Sequence, residues 1–242
     1  MCGLLEFFPE GFLINIVDIG AALSERPSYQ GIVNAGRGRI IGFEPDAAEC
    51  RRLSERYGAP HQFFPHFVGD GNPCVFHETN WNLTGSLLEP NHGLTRSFGN
   101  LDELLQPEAQ HAVSTSWLDD IQGIDDVDFI KVDIQGAELM VFRNAPRIMA
   151  QTLMIQTEVE FVEIYKGRPL FADVDGFLRQ SALPVPYIHW IWHARLQTHD
   201  EIGRSQRRLQ PGAVVGCHLR ARLVALRCAG DAEAEEACRP AA

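Results

Sequence analysis

The sequence predicts an α/β fold built on a doubly wound, mostly parallel sheet. Short apolar, β-branched runs recur along the chain, they end at glycines or acidic residues, and helix-forming stretches separate them. Strands that alternate with helices at this spacing join by crossover connections, which give parallel sheets. The chain has 242 residues, enough for a full core in one domain.

Residues 12–19 form the first strand, an apolar run that turns at Gly20. The stretch from there to about Asn34 reads as helical, interrupted by Pro27. A second strand covers 39–43 and closes at Glu44-Pro45-Asp46; Asp46 caps a helix over 47–57, which Gly58 ends. A third strand spans 63–68 and stops at Gly69-Asp70-Gly71. Residues 72–112 are rich in Asn, Gly and Pro, with β-like pieces around 74–78, and read as an insertion facing the substrate. A short helix starts at Ser116 and runs to Ile121; a fourth strand covers 127–132, a helix 137–143 and a fifth strand 153–157.

The net charge of −11 argues against general affinity for nucleic acid or anionic lipid, since both are polyanions. No apolar run approaches the roughly 20 residues that span a bilayer, and residues 1–8 lack the basic start of a secretory signal. The six cysteines are scattered, without metal-ligand spacing, and read as reduced thiols of a cytoplasmic protein.

Open α/β sheets bind ligands at the carboxyl ends of their strands. Three candidate sites fall there. In Asp18-Ile19-Gly20-Ala21-Ala22, a turn glycine lets backbone approach a ligand or simply serves the turn. Glu44 stands 26 residues after Asp18, at the next strand end. Its two acceptor oxygens match the paired hydroxyls of a ribose, which favours a nucleoside over a solvated acid. The third site is the run from Asp128 to Glu138, in which Lys131 and Asp133 share a strand face and form either an ion pair or part of a reaction centre. Absence of a G-x-G-x-x-G run leaves a nicotinamide-dependent enzyme a distant second. The Asp119, Asp120, Asp125 and Asp126 cluster reads as solvated loop and helix caps, His61, His66, His92 and His111 as surface or structural, and Trp81 and Trp117 as packing.

Taken together, Asp128–Glu138, Thr157-Glu158-Val159-Glu160-Phe161 and the run from Tyr165 to Val174 resemble the FkbM-type methyltransferase family. Val17–Ala21, Gly42-Phe43-Glu44-Pro45 and Thr115-Ser116-Trp117-Leu118-Asp119 are similar to it as well, so the likeness covers about residues 15–181. It implies a Rossmann-like class I methyltransferase fold and transfer of a methyl group from S-adenosyl-L-methionine to an oxygen of a small-molecule acceptor, a metabolite or sugar. By position it puts Asp18, Gly20 and Ala21 at the amino-acid end of the donor, Glu44 on its ribose and Asp70 near its adenine. An alcohol acceptor needs a base within hydrogen-bond reach; Asp133 is the first candidate, followed by His77 and Glu158. The same carboxylates have the oxygen chemistry of a divalent-metal site, and the sequence leaves that choice open.

The likeness stops after Ser181, which divides the chain into a donor-binding domain, 1–181, and an atypical tail, 182–242. Pro184 and Pro186 suit no central strand, so the closing strands of the sheet are expected to be atypical or missing. One explanation is a tail translated out of frame. Shifted by one nucleotide, codons allowed for 207–221 can spell Asp-Gly-Phe-Asn-Gln-Val-Leu-Trp-Ser-Asp-Ala-Ile-Tyr-Val-Arg, the pattern of a last strand in this family. The other is that 214–228 is itself a native last strand or helix. A damaged tail also motivates a non-catalytic, decayed nucleoside-binding protein as the alternative function.

Overall fold

The structure, a computed structural model, describes residues 11–22, 27–181 and, as backbone, 185–195 and 216–226. Its strands are β1 (Ile14–Ile19), β2 (Gly38–Phe43), β3 (Gln62–Phe64), β4 (Phe67–Val68), β5 (Pro73–Thr79), β6 (Pro107–Ser116), β7 (Phe129–Val132), β8 (Met154–Glu160), β9 (Val185–Arg195) and β10 (Gly216–Leu226). The main sheet runs β3-β2-β1-β7-β8-β10-β9. Its first five members are parallel, whereas β10 is antiparallel to both β8 and β9.

Alternation along the strands sends side chains to two faces. Val17, Ile19, Ile41, Phe43, Ile130 and Val132 form one face. On it pack buried residues of α4 (Glu138–Arg143), α5 (Pro146–Gln151) and α6 (Phe171–Gln180). The opposite face carries Ile16, Ile40 and Phe129, covered by Tyr29 and by side chains of α1 (Gln30–Asn34) and α2 (Ala47–Tyr57). Helices on both faces make the sheet doubly wound, as expected.

Local chemistry explains the elements that match expectation. Asp46 Oδ1 accepts the Ala48 and Glu49 N–H groups at 2.7 and 2.9 Å, starting α2, and Gly58 ends it at φ +63°. Asp119 also caps, but at a distance in sequence: its carboxylate receives Arg147 N–H at 2.7 Å and Ile148 N–H at 3.0 Å, opening α5.

Other expectations are corrected. The single strand over 63–68 is two, because Pro65 has no N–H for a ladder: β3 stays on the main sheet, and β4 joins a small sheet of order β4-β6-β5. That small sheet is what the 72–112 insertion builds; the brief α3 (His92–Thr95) lies between its two longer strands. The helix from Ser116 shrinks to one 3₁₀ turn at Leu118–Asp120. In the stretch after Gly20 the helix is only α1, and residues 23–26 lie outside the described ones. The closing strands are present. Pro186 falls on β9, the sheet edge, where a missing donor is tolerated, and β10 covers 216–226.

Candidate active site

The site begins where β1 and β2 end side by side. The N–H groups of Gly20 and Ala21 both donate to the Phe43 carbonyl, at 3.0 and 3.1 Å, so the glycine bend lies directly beside Glu44. Gly20 has φ +78°, and a methyl group on it would overlap the Asp133 carbonyl. The neighbouring strand turn, as much as any ligand, therefore demands glycine here.

Glu44 is only 8% exposed. Its Oε1 accepts the Asp46 N–H at 3.1 Å, and the Ala22 backbone also donates to its carboxylate. Burial outweighs these bonds and pushes its pKa up to about 7. Such a carboxylate has little water to solvate it. Hydroxyl donors from a ligand would supply what burial removes.

Beneath the bend lies an ion pair that the sequence reading did not assign. Asp18 is 2% exposed on β1, and Lys131, its register partner on β7, donates to Asp18 Oδ1 at 2.7 Å. The Tyr29 hydroxyl donates to Asp18 Oδ2, and burial, then Asp18, hold that phenol above the usual tyrosine range. Lys131 Nζ also donates to the Gly20 carbonyl at 3.1 Å. Both Asp18 oxygens are thus engaged by protein groups, and Asp18 supports the bend from below.

The second corner adjoins the first. Asp133 directly follows β7, and its N–H donates to the Ile19 carbonyl at 3.0 Å. Gln135 Nε2 reaches Asp133 Oδ1 at 3.0 Å and Glu158 Oε2 on β8 at 3.4 Å. His77 approaches through backbone: it exchanges N–H···O bonds of 2.8 and 3.1 Å with Ser86, whose hydroxyl donates to the Gln135 carbonyl at 2.7 Å. Below the loop, Glu138 Oε1 accepts the Ile134 and Gly136 N–H groups, each at 3.1 Å. Glu138 in turn shares the buried Arg168 guanidinium with Glu160.

Asp70 is bound to the small sheet. Its Oδ1 accepts the Asn72 N–H at 3.0 Å and the Thr115 hydroxyl at 3.3 Å, and bonds from Asn72 foremost hold its carboxyl below the usual range. Trp81 and Trp117, assigned to packing by sequence, are instead 43% and 44% exposed. The Trp117 indole N–H sits on the Asp70 carbonyl. The four histidines read as structural or surface groups include His61, whose Nδ1 receives the Ile40 N–H at 3.0 Å, and His111, which pairs with half-exposed Glu78.

The structure therefore brings Gly20, Ala21, Glu44, Asp133 and Glu158 to adjoining strand ends, with His77 linked to them only through Ser86 and Gln135. The ion pair weighed for Lys131 forms with Asp18, and Gln135 and the Glu138–Arg168–Glu160 cluster were missed as structural partners. The signal for Lys131 was present: a lysine inside Phe129-Ile130-Lys131-Val132 needs a buried acid, and Asp18 inside β1 needs a cation. Among the described residues, no group of three or more His, Cys, Asp or Glu is arranged to hold a metal ion. No helix among them is long and apolar enough to cross a membrane.

Five parallel strands with a glycine bend and a buried carboxylate at adjacent ends define a Rossmann-like α/β protein of the methyltransferase type. Within that class, the chain belongs to the methyltransferase FkbM domain family, whose model matches residues 18–182. It is 29% identical over 153 residues to the 2-O-methyltransferase NoeI of Sinorhizobium fredii. That match covers 57% of this chain and 61% of NoeI, so the chain spans about three-fifths of its curated relative. No solved structure matches the chain significantly.

Proposed function

We propose that this protein transfers a methyl group from S-adenosyl-L-methionine to a hydroxyl oxygen of a small metabolite or sugar. The observation that carries the reading is the meeting of the Gly20–Ala21 bend with the desolvated Glu44 carboxylate inside a chain of this family. The residues fit the donor. Gly20 and Ala21 line its amino-acid end, with Asp18 acting through Lys131 and the Gly20 carbonyl. Glu44 accepts from its ribose hydroxyls, and Asp70 with Trp117 borders its adenine. When bound, the donor supplies an electrophilic methyl on a sulfonium that leaves as a neutral thioether.

The chain's own work is alignment, exclusion of water and proton removal. Asp133 takes the proton of the acceptor hydroxyl as that oxygen forms its new bond to carbon. Glu158, which shares the Gln135 amide with Asp133, and His77, tied by backbone to Ser86, are the next candidates for that task. The name of NoeI, a 2-O-methyltransferase, supports oxygen as the acceptor atom. In this reading the donor site belongs to residues 1–181, and 182–242, which supplies β9 and β10 of the same sheet, is an atypical tail whose coding frame a reading of the gene in all frames would test. The scattered cysteines and the −11 charge support a cytoplasmic protein acting on small molecules, without nucleic acid or membrane as partner.

The test is transfer of label from methyl-labelled S-adenosylmethionine to a panel of sugars and hydroxylated metabolites. Label appearing as an alkali-stable methyl ether supports the proposal. Donor binding with no transfer to any acceptor would favour a decayed, nucleoside-binding protein.

A further inference from the structure

Gln135 occupies the left-handed backbone region at φ +57°, which a non-glycine residue adopts only when its surroundings hold it there. Three independent sets of bonds do so. Glu138 receives the N–H groups on either side of it, from Ile134 and Gly136. The Ser86 hydroxyl donates to its carbonyl at 2.7 Å, a link from a residue 49 positions earlier. The Tyr165 hydroxyl, fully buried and 2.9 Å from the Thr84 carbonyl, lies 3.2 Å from Gln135 Oε1. The amide oxygen faces this hydroxyl, and the amide nitrogen faces the other way, toward acceptors that can only accept. The acceptors there are Asp133 Oδ1 at 3.0 Å and Glu158 Oε2 at 3.4 Å.

We infer that Gln135 is the positioning residue of the acceptor corner: its amide clasps Asp133 and Glu158 into one carboxylate pair. This rests on the reading of Asp133 as the base.

The experiment is a carbon-13 spectrum of the side-chain carboxyl signals in the full chain, at one pH and with S-adenosylhomocysteine present. It compares wild type with Gln135→Leu and with Gln135→Gly, the latter keeping the left-handed backbone unstrained. Loss of the amide donor should move the Asp133 and Glu158 signals in both variants, leaving the Glu44 signal in place. Asp133 and Glu158 signals unmoved in both variants would overturn the inference, as would a fall in melting temperature with no such movement. Asp133→Asn separates the two claims: full methyl transfer by that variant removes Asp133 as base, while a dead variant alongside unmoved signals removes only the clasp.

Discussion

At the corner between β1 and β2 the contacts come from main chain: two N–H groups on one carbonyl, a glycine bend and a single buried carboxylate. At the corner after β7 they come from side chains drawn from distant segments, Ser86, Asp133, Gln135, Glu158 and Tyr165, around one left-handed residue. A site made of backbone is set as soon as the sheet forms, and it suits a ligand whose shape does not change. Side chains gathered by polar bonds can be exchanged without unmaking the sheet. Damage to the first corner should therefore cost folding and donor affinity. Damage to the second should cost turnover.

The largest effect is expected below the first corner. Lys131→Met leaves Asp18 buried without its cation, and breaking such a pair costs about 3–5 kcal/mol. Urea unfolding should show that loss; a change under about 1 kcal/mol would mean Asp18 does not need Lys131. Next is Gly20→Ala, which combines a positive φ with overlap on the Asp133 carbonyl. It should lower stability by about 3 kcal/mol, and an unchanged melting temperature would show that the two corners do not touch as described.

A smaller effect is the pH dependence of donor affinity. Burial raises the Glu44 pKa from 4.5 to about 7, so the folded chain holds this proton more tightly than the unfolded one. Its stabilising contribution is full below pH 4.5 and is lost as pH rises through 7. Ribose hydroxyls need the ionised form as acceptor, so affinity for S-adenosylhomocysteine should rise as pH passes 7, and Glu44→Gln should flatten that rise. A profile that is the same in both proteins would place the titration elsewhere. The smallest effect belongs to Lys166→Ala, which removes an ion pair with Glu89 in which both side chains are about half exposed. Neither melting temperature nor donor binding should change measurably.

The first corner was legible in the sequence and most of the second was not, for a physical reason. Strand, turn and cap signals at 12–20 and 39–58 act over a few residues, so the Gly20 bend, Glu44 and the Asp46 cap follow from neighbours in the chain. Lys131 finds Asp18 across 113 residues through a parallel register, which no local pattern encodes. Tyr165 reaches Thr84 across 81 residues, and Gln135 owes its role to both that bond and the link to Ser86. Pro65 was readable as a break, yet where the chain went next depended on β6, a strand of mostly exposed residues without an apolar stripe.

The account stands on Glu44 and the glycine bend gripping one nucleoside between them. Calorimetric titration of S-adenosylhomocysteine into wild type and Glu44→Ala, both shown to be folded, tests this directly. Measurable binding to wild type, weakened at least about tenfold (roughly 1.4 kcal/mol) in the variant, is the predicted result. Equal affinity in the two proteins, or no binding to either, would contradict it.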